Sequence, residues 1–242
     1  FGMTQPTGID LPGEGDSLLV PESTAVPYDL ASMSIGQSNA FTPIQMITAI
    51  SAVANGGMLM RPYIVDKIVD PDGNIVKEQE PENVRRVISE DTAHEVWNVL
   101  ETVVSSGTGK QGQVEGYTVA GKTGTAEKVA SNGGYSARAR VVSFAGFAPA
   151  DDPQIACLVI VDEPVDAHGG STAGPVFQKI MEDTLRYLEV PKNINTPVEA
   201  IQQKEEVGVP ALENMTPVDA IEAIKAAGLT PIVETQGDTL YT

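Results

Sequence analysis

Residues 116–127 read GYTVAGKTGTAE, and this short stretch carries two patterns that exclude one another. Residues 116–123 fit G-x-x-x-x-G-K-[ST], the loop that holds nucleotide phosphates. Alternatively, residues 117–126 form one β-strand that carries the triad Lys-Thr-Gly at 122–124. The two interpretations predict different folds, and the sequence on either side of the stretch decides between them.

A phosphate loop needs a buried strand before it and a helix that begins at its Lys-Thr pair. Residues 107–115, GTGKQGQVE, are polar and rich in glycine, which is not typical of a buried strand. Residues 126–134, AEKVASNGG, leave little room for a packed helix. Nucleotide binding is therefore the least favoured interpretation.

The strand interpretation fits the local sequence without strain. Lys122, Gly124 and Ala126 would face one way, and Thr123 and Thr125 the other. Glycine removes a side chain where a ligand backbone must lie close to a strand. A lysine charge beside hydroxyl groups suits a carboxylate and proton transfer, and an N–H at a strand edge can stabilise an oxyanion. On these letters alone, a plain surface strand remains the alternative.

Composition excludes several function classes. The chain has 33 acidic and 15 basic residues among 242, a net charge of −18, which repels nucleic acid and anionic membranes. His94 and His168 are too few and too far apart for a metal centre, and His168 is either a residue at the edge of a site or a solvated loop residue. Cys157 sits in an apolar run as a packing residue. We expect no cofactor and no metal.

The first part of the chain predicts loop and then helix. Residues 1–40 are rich in Gly, Pro, Ser and Thr and predict mostly loop. A helix is predicted from Thr42 to Asn55, because Thr caps, Pro fits the first turn and Gln completes a capping box. A hairpin is predicted around residues 71–73, and a second helix follows a cap at Ser89.

Three strands and a third helix are predicted next. The strands are residues 117–126, 140–148 and 154–163, and their short connections favour antiparallel neighbours. The third helix is predicted to begin at Gly174-Pro175 and to reach Leu188. Together these elements predict an α+β, three-layer fold in which an antiparallel sheet is flanked by helices.

The end of the chain predicts a second, small unit. We divide the chain into residues 1–190, a polar linker at 191–205 and a small α+β unit at 206–242. The small unit has a helix start at Thr216-Pro217, a stop at Gly228 and a short strand at 230–234.

A series of segments carries a family resemblance. In chain order they are TGIDLPGE, SIGQSNAFTPIQMITAISAVANGGMLMRPYIV, VAGKTGTAE, FAGFAPADDPQIACLVIVDEP and GPVFQKIMEDTLRYL. Residues 1–190 resemble the C-terminal half of the transpeptidase domain of class B penicillin-binding proteins, of the division or sporulation type. VPALENMTPVDAIEAIKAAGLTP resembles the first half of a PASTA repeat, a small wall-binding module.

The resemblance implies a partial penicillin-binding transpeptidase fold, similar to the serine β-lactamases, and an acyl-serine D,D-transpeptidase activity. Lys122 would be catalytic, within the proton and electrostatic network. Thr123, Gly124 and Thr125 would bind substrate, and the Thr125 N–H would be an oxyanion donor. The implied partners are peptidoglycan stem peptides ending in D-Ala-D-Ala, β-lactams and other cell-wall synthesis proteins, at the extracytoplasmic face of the cell membrane.

The sequence departs from the family pattern in one respect. None of its serines is followed three positions later by lysine, and it has no S-x-N triplet. Both motifs lie upstream of the matching region in the family, so we expect the nucleophile and a membrane anchor to lie outside this chain. Ser34, Ser38 and Ser143 do not sit in the right motif. A noncatalytic wall-binding or scaffold protein is the alternative.

The strand connection next to the motif contains two arginines. Arg138 and Arg140 border the substrate groove in one interpretation, where a guanidinium pairs with a carboxylate, and are ordinary surface charges in the other.

Overall fold

A computed structural model describes residues 1–129, 134–165, 168–194, 212, 215–228 and 231. The chain divides into two compact units, Phe1–Val198 and Glu199–Thr242. The division falls inside the polar segment at 191–205.

The first unit contains the following elements in chain order: β1 Leu18–Leu19, α1 Pro27–Ser34, β2 Asn39–Ala40, α2 Pro43–Ala54, β3 Met58–Met60, β4 Lys67–Val69, β5 Ile75–Glu78, β6 Asn83–Arg86, α3 Glu90–Ser105, a 3-10 turn Lys110–Gly112, β7 Ala120–Val129, β8 Tyr135–Ala148, β9 Ile155–Asp162 and α4 Gly169–Tyr187. Its largest sheet is antiparallel, with strand order β7-β8-β9. The three predicted strands and their antiparallel pairing are confirmed.

Helices cover both faces of this sheet. On one face Phe144 of β8 packs against Phe177 of α4, with ring centroids 4.5 Å apart. On the other face Phe147 packs against Trp97 of α3, with centroids 6.1 Å apart, and the Trp97 indole N–H donates to the Val53 carbonyl of α2 at 2.7 Å. The order of layers is α4, sheet, then α2 with α3, which confirms the predicted three-layer fold.

The caps of α2 and α3 are those that the sequence predicts. Thr42 Oγ1 accepts from the Gln45 N–H at 3.2 Å, and Gln45 Oε1 accepts from the Thr42 N–H at 2.9 Å, which completes a capping box. Ser89 Oγ accepts from the Thr92 N–H at 3.1 Å at the start of α3. The predicted hairpin is also present as β4 and β5.

The motif strand begins later than predicted. The sequence predicts a strand over 117–126, whereas β7 spans Ala120–Val129. The Thr118 N–H donates to Asn193 Oδ1 at 2.9 Å, and the Thr118 carbonyl accepts from the Ala150 N–H at 3.0 Å. The Thr118 N–H thus bonds to Asn193 instead of β8, and the regular ladder with β8 starts at Ala120.

The last helix of the first unit begins earlier than predicted. The sequence places its start at Gly174-Pro175, but α4 begins at Gly169 and Pro175 lies inside it. Gly169 lies directly against the sheet, since a Cβ added there would come within 2.5 Å of the Gly124 carbonyl oxygen. The glycine pair Gly169-Gly170 therefore marks a close approach of helix and strand rather than a loop.

The predicted loop at 1–40 also contains a helix. In α1, Pro27 occupies the first turn and Asp29 accepts from the Val26 N–H at 3.0 Å. This local capping stabilises eight residues of helix within a stretch that is otherwise mostly turn.

The described part of the second unit is one helix, α5 Pro217–Ala226. Thr216 Oγ1 accepts from the Asp219 N–H at 3.3 Å, as the predicted cap requires. The predicted strand at 230–234 lies outside the described residues except Pro231. The PASTA assignment stays a prediction.

Candidate functional site

The motif strand β7 lies at the edge of its sheet. Among the described residues, β8 pairs with β7 on one side, and no strand pairs with it on the other. The register is regular from Ala120 opposite Phe147 to Glu127 opposite Arg140. Backbone groups on the outer side of β7 are thus available to a ligand in extended conformation.

The register also determines which residues present their backbone groups to this open edge. The Glu163 N–H donates to the Arg140 carbonyl at 2.9 Å, in line with the β8–β9 ladder. In antiparallel pairs bonded and non-bonded positions alternate, so even-numbered residues of β8 bond to β9 and odd-numbered ones to β7. Ser143 stands opposite Gly124. The backbone groups of Thr123 and Thr125 therefore point to the open edge.

The predicted site residues cluster along this edge. Lys122 Nζ donates to the Thr123 carbonyl at 2.9 Å and lies 3.5 Å from Thr123 Oγ1. The Gly169 N–H, in the first turn of α4, donates to Thr125 Oγ1 at 3.4 Å. Lys122 and Thr125 are exposed and Thr123 is half-buried. An ammonium group, two hydroxyls and two outward N–H groups thus lie within the four residues 122–125, a set that suits an anionic ligand.

Gly124 belongs to the edge strand, but its backbone groups face β8 and it lies against Ser143. A Cβ added at Gly124 would overlap Ser143 Oγ on the neighbouring strand. Ser143, in the central strand β8, therefore packs against Gly124 from the side opposite the open edge. Sequence reasoning gave Gly124 a role towards the ligand, and the structure adds this second, internal reason for glycine.

One residue of the site was missed by sequence reasoning. Thr108, between α3 and the 3-10 turn, has its hydroxyl 3.1 Å from Thr123 Oγ1. The pair is separated by 14 intervening residues and joins a loop to a strand. The only signal in the sequence is Gly-Thr-Gly at 107–109, a loop pattern that does not identify what the threonine contacts.

Charged residues clamp the far end of the motif strand. Lys128 Nζ lies 3.0 Å from Asp162 and 2.7 Å from Glu163. The hydrogen bonds that Lys128 donates to Glu163 and, secondly, to Asp162 raise the pKa of Lys128 above its ordinary value. Arg140 lies 3.5 Å from Glu127. Arg140 thus has an ion-pair partner within the sheet, and the side chain of Arg138 lies outside the described residues.

The structure gives each of the three serines considered as nucleophiles a contact outside an S-x-x-K motif. Ser34 donates to the Ala31 carbonyl at 2.7 Å at the end of α1. Ser38 shares a hydrogen bond of 2.8 Å with Ser32. Ser143 lies in the central strand.

No group of three or more His, Cys, Asp or Glu side chains in the described part of the chain could hold a metal ion. Burial raises the pKa of the half-buried Cys157 thiol, which does not favour a reactive thiolate. Among the helices of the described ranges, none is long and apolar enough to cross a membrane.

Comparison with known families gives one match that covers most of the chain. The penicillin binding protein transpeptidase domain matches residues 1–182. This range contains the sheet, the open edge of β7 and the first 14 of the 19 residues of α4.

Curated relatives agree with this match. The chain is 46% identical over 193 residues to Stage V sporulation protein D of Bacillus subtilis, with 78% of this chain and 30% of that protein covered. It is 37% identical over 202 residues to Penicillin-binding protein PbpB of Mycolicibacterium smegmatis, with 79% and 31% covered. The chain thus spans about a third of the length of these relatives.

Solved structures share the fold. Penicillin binding protein 3 of Mycobacterium tuberculosis in complex with aztreonam superposes with a TM-score of 0.73 at 34% identity, covering 80% of this chain and 45% of that one. The TP domain of Burkholderia pseudomallei penicillin-binding protein 3 gives a TM-score of 0.69 at 37% identity, covering 80% and 56%.

Proposed function

This chain belongs to the family of penicillin binding protein transpeptidase domains, and on that premise we propose that the full-length protein carrying it is a serine-type peptidoglycan D,D-transpeptidase. The observation that carries the proposal is the open edge of β7, where Lys122, Thr123 and Thr125 lie together within the matched range. The name of one further relative, the Peptidoglycan D,D-transpeptidase FtsI homolog of Mesostigma viride, points to the same reaction.

The proposed reaction has two acyl-transfer steps. A serine hydroxyl attacks the carbonyl of the penultimate D-alanine of a stem peptide, an ester forms, and the terminal D-alanine leaves with a proton on its nitrogen. An amine of a second strand then attacks the ester, an amide forms, and the serine regains its proton. A β-lactam acylates the same serine, but its ring-opened acyl group stays attached, so the serine is blocked.

The residues of this chain would supply one wall of that site. Lys122 holds positive charge beside the reacting groups and takes part in proton transfer. The hydroxyls of Thr123 and Thr125 donate to the substrate's terminal carboxylate. The outward Thr125 N–H is one oxyanion donor, and Gly124 lets the substrate backbone approach β7. These assignments rest on the geometry of the edge and on the family pattern.

The nucleophile is proposed to come from a part of the protein outside these 242 residues. The supporting observations are the lack of an S-x-x-K motif in this sequence and the 30% of the sporulation relative that the chain covers. If the rest of the protein also lacks an S-x-x-K motif, the alternative of a noncatalytic wall-binding or scaffold protein is favoured instead.

The remaining assignments concern place and partners. We propose that residues 206–242 are part of a PASTA unit that binds the wall, supported by the capped helix α5 and the sequence pattern around it. The proposed site of action is the extracytoplasmic face of the membrane, reached through an anchor elsewhere in the protein. Peptidoglycan, β-lactams and other cell-wall synthesis proteins, of division or sporulation, are the proposed partners.

Labelling with a fluorescent penicillin tests the enzyme against the scaffold. We expect the full-length protein to form a covalent adduct that unlabelled penicillin prevents, and the 242-residue chain to form none. A full-length protein that is folded but is not labelled would contradict the transpeptidase and favour the scaffold.

A further inference from the structure

The loop that carries Thr108 is held tightly against the end of α3. The Gly109 N–H donates to the Val103 carbonyl at 2.9 Å. A Cβ added at Gly107 would come within 2.9 Å of the same carbonyl oxygen, and one at Gly109 within 3.1 Å. A side chain at Gly107 would thus collide with the end of α3 and one at Gly109 would crowd it, while the side chain of Thr108 between them is exposed.

Thr108 contacts both the motif strand and the start of α4. Its hydroxyl lies 3.1 Å from Thr123 Oγ1, and its carbonyl oxygen lies 2.8 Å from where a Cβ of Gly170 would stand. Thr108 thus lies where the end of α3, the strand β7 and the start of α4 meet. The packing of these three elements, one from each layer, places its hydroxyl beside Thr123.

The direction of the hydrogen bond between the two hydroxyls matters for a ligand. A threonine hydroxyl has one proton and two acceptor positions. When Thr123 accepts from Thr108, its own proton is available for a carboxylate at the open edge, and donation from Thr108 strengthens that bond. Lys122 Nζ lies 3.5 Å from Thr123 Oγ1 and can donate to it as well. An ammonium group has no acceptor position, so Lys122 cannot take the place of Thr123 in accepting the proton of Thr108.

We propose that Thr108 is a positioning residue for the acyl donor: it donates to Thr123, so that the Thr123 hydroxyl points its proton at the donor's terminal carboxylate. Thr108 does not touch the reacting atoms. The inference rests on the proposed transpeptidase function and adds a residue outside the Lys-Thr-Gly motif to carboxylate recognition.

The test uses the full-length protein with Thr108→Val, which keeps the shape and removes the hydroxyl, and Thr108→Ser, which keeps the hydroxyl. Thr102→Val is the control, because Thr102 is exposed on α3 and its hydroxyl bonds to the Asn98 carbonyl of the same helix at 2.9 Å. Acyl-enzyme formation is followed by intact mass spectrometry with a penicillin and with its methyl ester, which lacks the carboxylate charge.

We expect Thr108→Val to slow acylation by the free penicillin roughly three- to tenfold, the value of one lost hydrogen bond. Thr108→Ser and Thr102→Val should stay within about twofold of the wild type. The ester should acylate the wild type and Thr108→Val at equal rates. The ratio of the acylation rate with free penicillin to that with the ester should therefore fall in Thr108→Val but not in Thr108→Ser or Thr102→Val. Thr108→Ala gives the same comparison if the valine variant does not fold.

Two results would overturn the inference alone: unchanged acylation of a folded Thr108→Val, or an equal loss for penicillin and ester, which indicates a structural role only. Failure of the wild type itself to form an acyl-enzyme would overturn the proposed function and this inference with it.

Discussion

At the scale of single residues, Lys122, Thr123 and Thr125 are more constrained than the sequence pattern suggests. Lys122 bonds to the carbonyl of its neighbour, Thr123 bonds to Thr108, and Thr125 accepts from the first turn of α4. Thr123 and Thr125 are thus each held by a different part of the fold, and Lys122 is held by its own strand. Such preorganisation reduces the entropy that the protein loses when a substrate binds.

Replacing Lys122 tests the role of its charge. In the full-length protein, Lys122→Ala should reduce penicillin acylation by at least about a hundredfold, because a positioned proton-transfer group contributes that much or more. Lys110→Ala, at an exposed lysine of the 3-10 turn, is the matched control and should acylate normally. Wild-type acylation rates in Lys122→Ala would remove Lys122 from the reaction.

Gly124 offers a test that needs no substrate. Gly124→Ala should destabilise the 242-residue chain by about 1–3 kcal/mol, the usual cost of overpacking, because the new methyl overlaps Ser143 Oγ. Adding Ser143→Ala should recover most of this loss, and urea unfolding of the four variants measures both effects. If the second change recovers nothing, the contact with Ser143 is not the cause.

The sequence identifies the residues of the candidate site on β7, but it does not identify the residues from other elements that contact them. Lys122, Thr123 and Thr125 follow from a local pattern, since alternation along one strand places them. The contact between Thr108 and Thr123 depends on where α3 ends relative to β7. No pattern of residue types encodes that distance, so tertiary placement alone reveals Thr108.

At the scale of elements, the clamp of Lys128 joins β7 to the end of β9. Its pKa is raised, because the folded state binds the ammonium proton more tightly than the unfolded state does. The stabilisation from this group is therefore fully present below the ordinary lysine pKa and is lost as the pH rises through the raised one. Lys128→Met should be less stable than the wild type at pH 8.

Measurement of unfolding against pH tests this sign. The difference in unfolding midpoint between wild type and Lys128→Met should shrink as the pH rises past the ordinary lysine value of 10.5. High salt should also reduce this difference in midpoint, because the partners Asp162 and Glu163 are exposed to solvent. A difference that grows with pH would contradict the clamp.

The cap of α2 provides a second test at this scale. Thr42→Ala should cost about 1 kcal/mol of stability, since it leaves the Gln45 N–H without its acceptor. Thr42→Ser keeps the hydroxyl and should cost much less. Urea unfolding compares the two, and equal losses would show that the methyl group, rather than the cap, is responsible.

Elements with local signals were predictable, and those set by distant contacts were not. The start of α2 follows from Thr42, Pro43 and Gln45 alone. The start of β7 is set by Asn193, which lies 75 positions from Thr118. The start of α4 was missed because Gly169-Gly170 resembles a helix breaker in sequence and serves instead as the contact with the sheet.

At the scale of the whole molecule, the first unit continues past residue 190 through Asn193. The Asn193 amide donates to Thr118 Oγ1 at 2.7 Å and also to Asp151, and its oxygen accepts from the Thr118 N–H. The Asn193 N–H donates to the Gly116 carbonyl at 3.1 Å. These bonds hold the start of the linker against the residues that precede the motif strand.

Truncation measures what this attachment contributes. A chain that ends at Ile194 should melt about 3–8 °C above one that ends at Val190, since several hydrogen bonds of about 1 kcal/mol each are kept. Asn193→Ala in the longer chain should reproduce most of the loss. Equal melting temperatures for the two truncations would show that the segment is not part of the stable unit.

The open side of β7 also has a consequence for association. An edge that accepts one extended peptide offers the same unpaired groups to a strand of a second molecule, and such edges promote aggregation. Lysine within an edge strand opposes this pairing, and the charge of −18 makes copies of the chain repel one another. Under the proposed function, Lys122 would therefore have two roles that a single substitution removes together: it would take part in the reaction, and its charge at the open edge would oppose pairing with a strand of a second molecule.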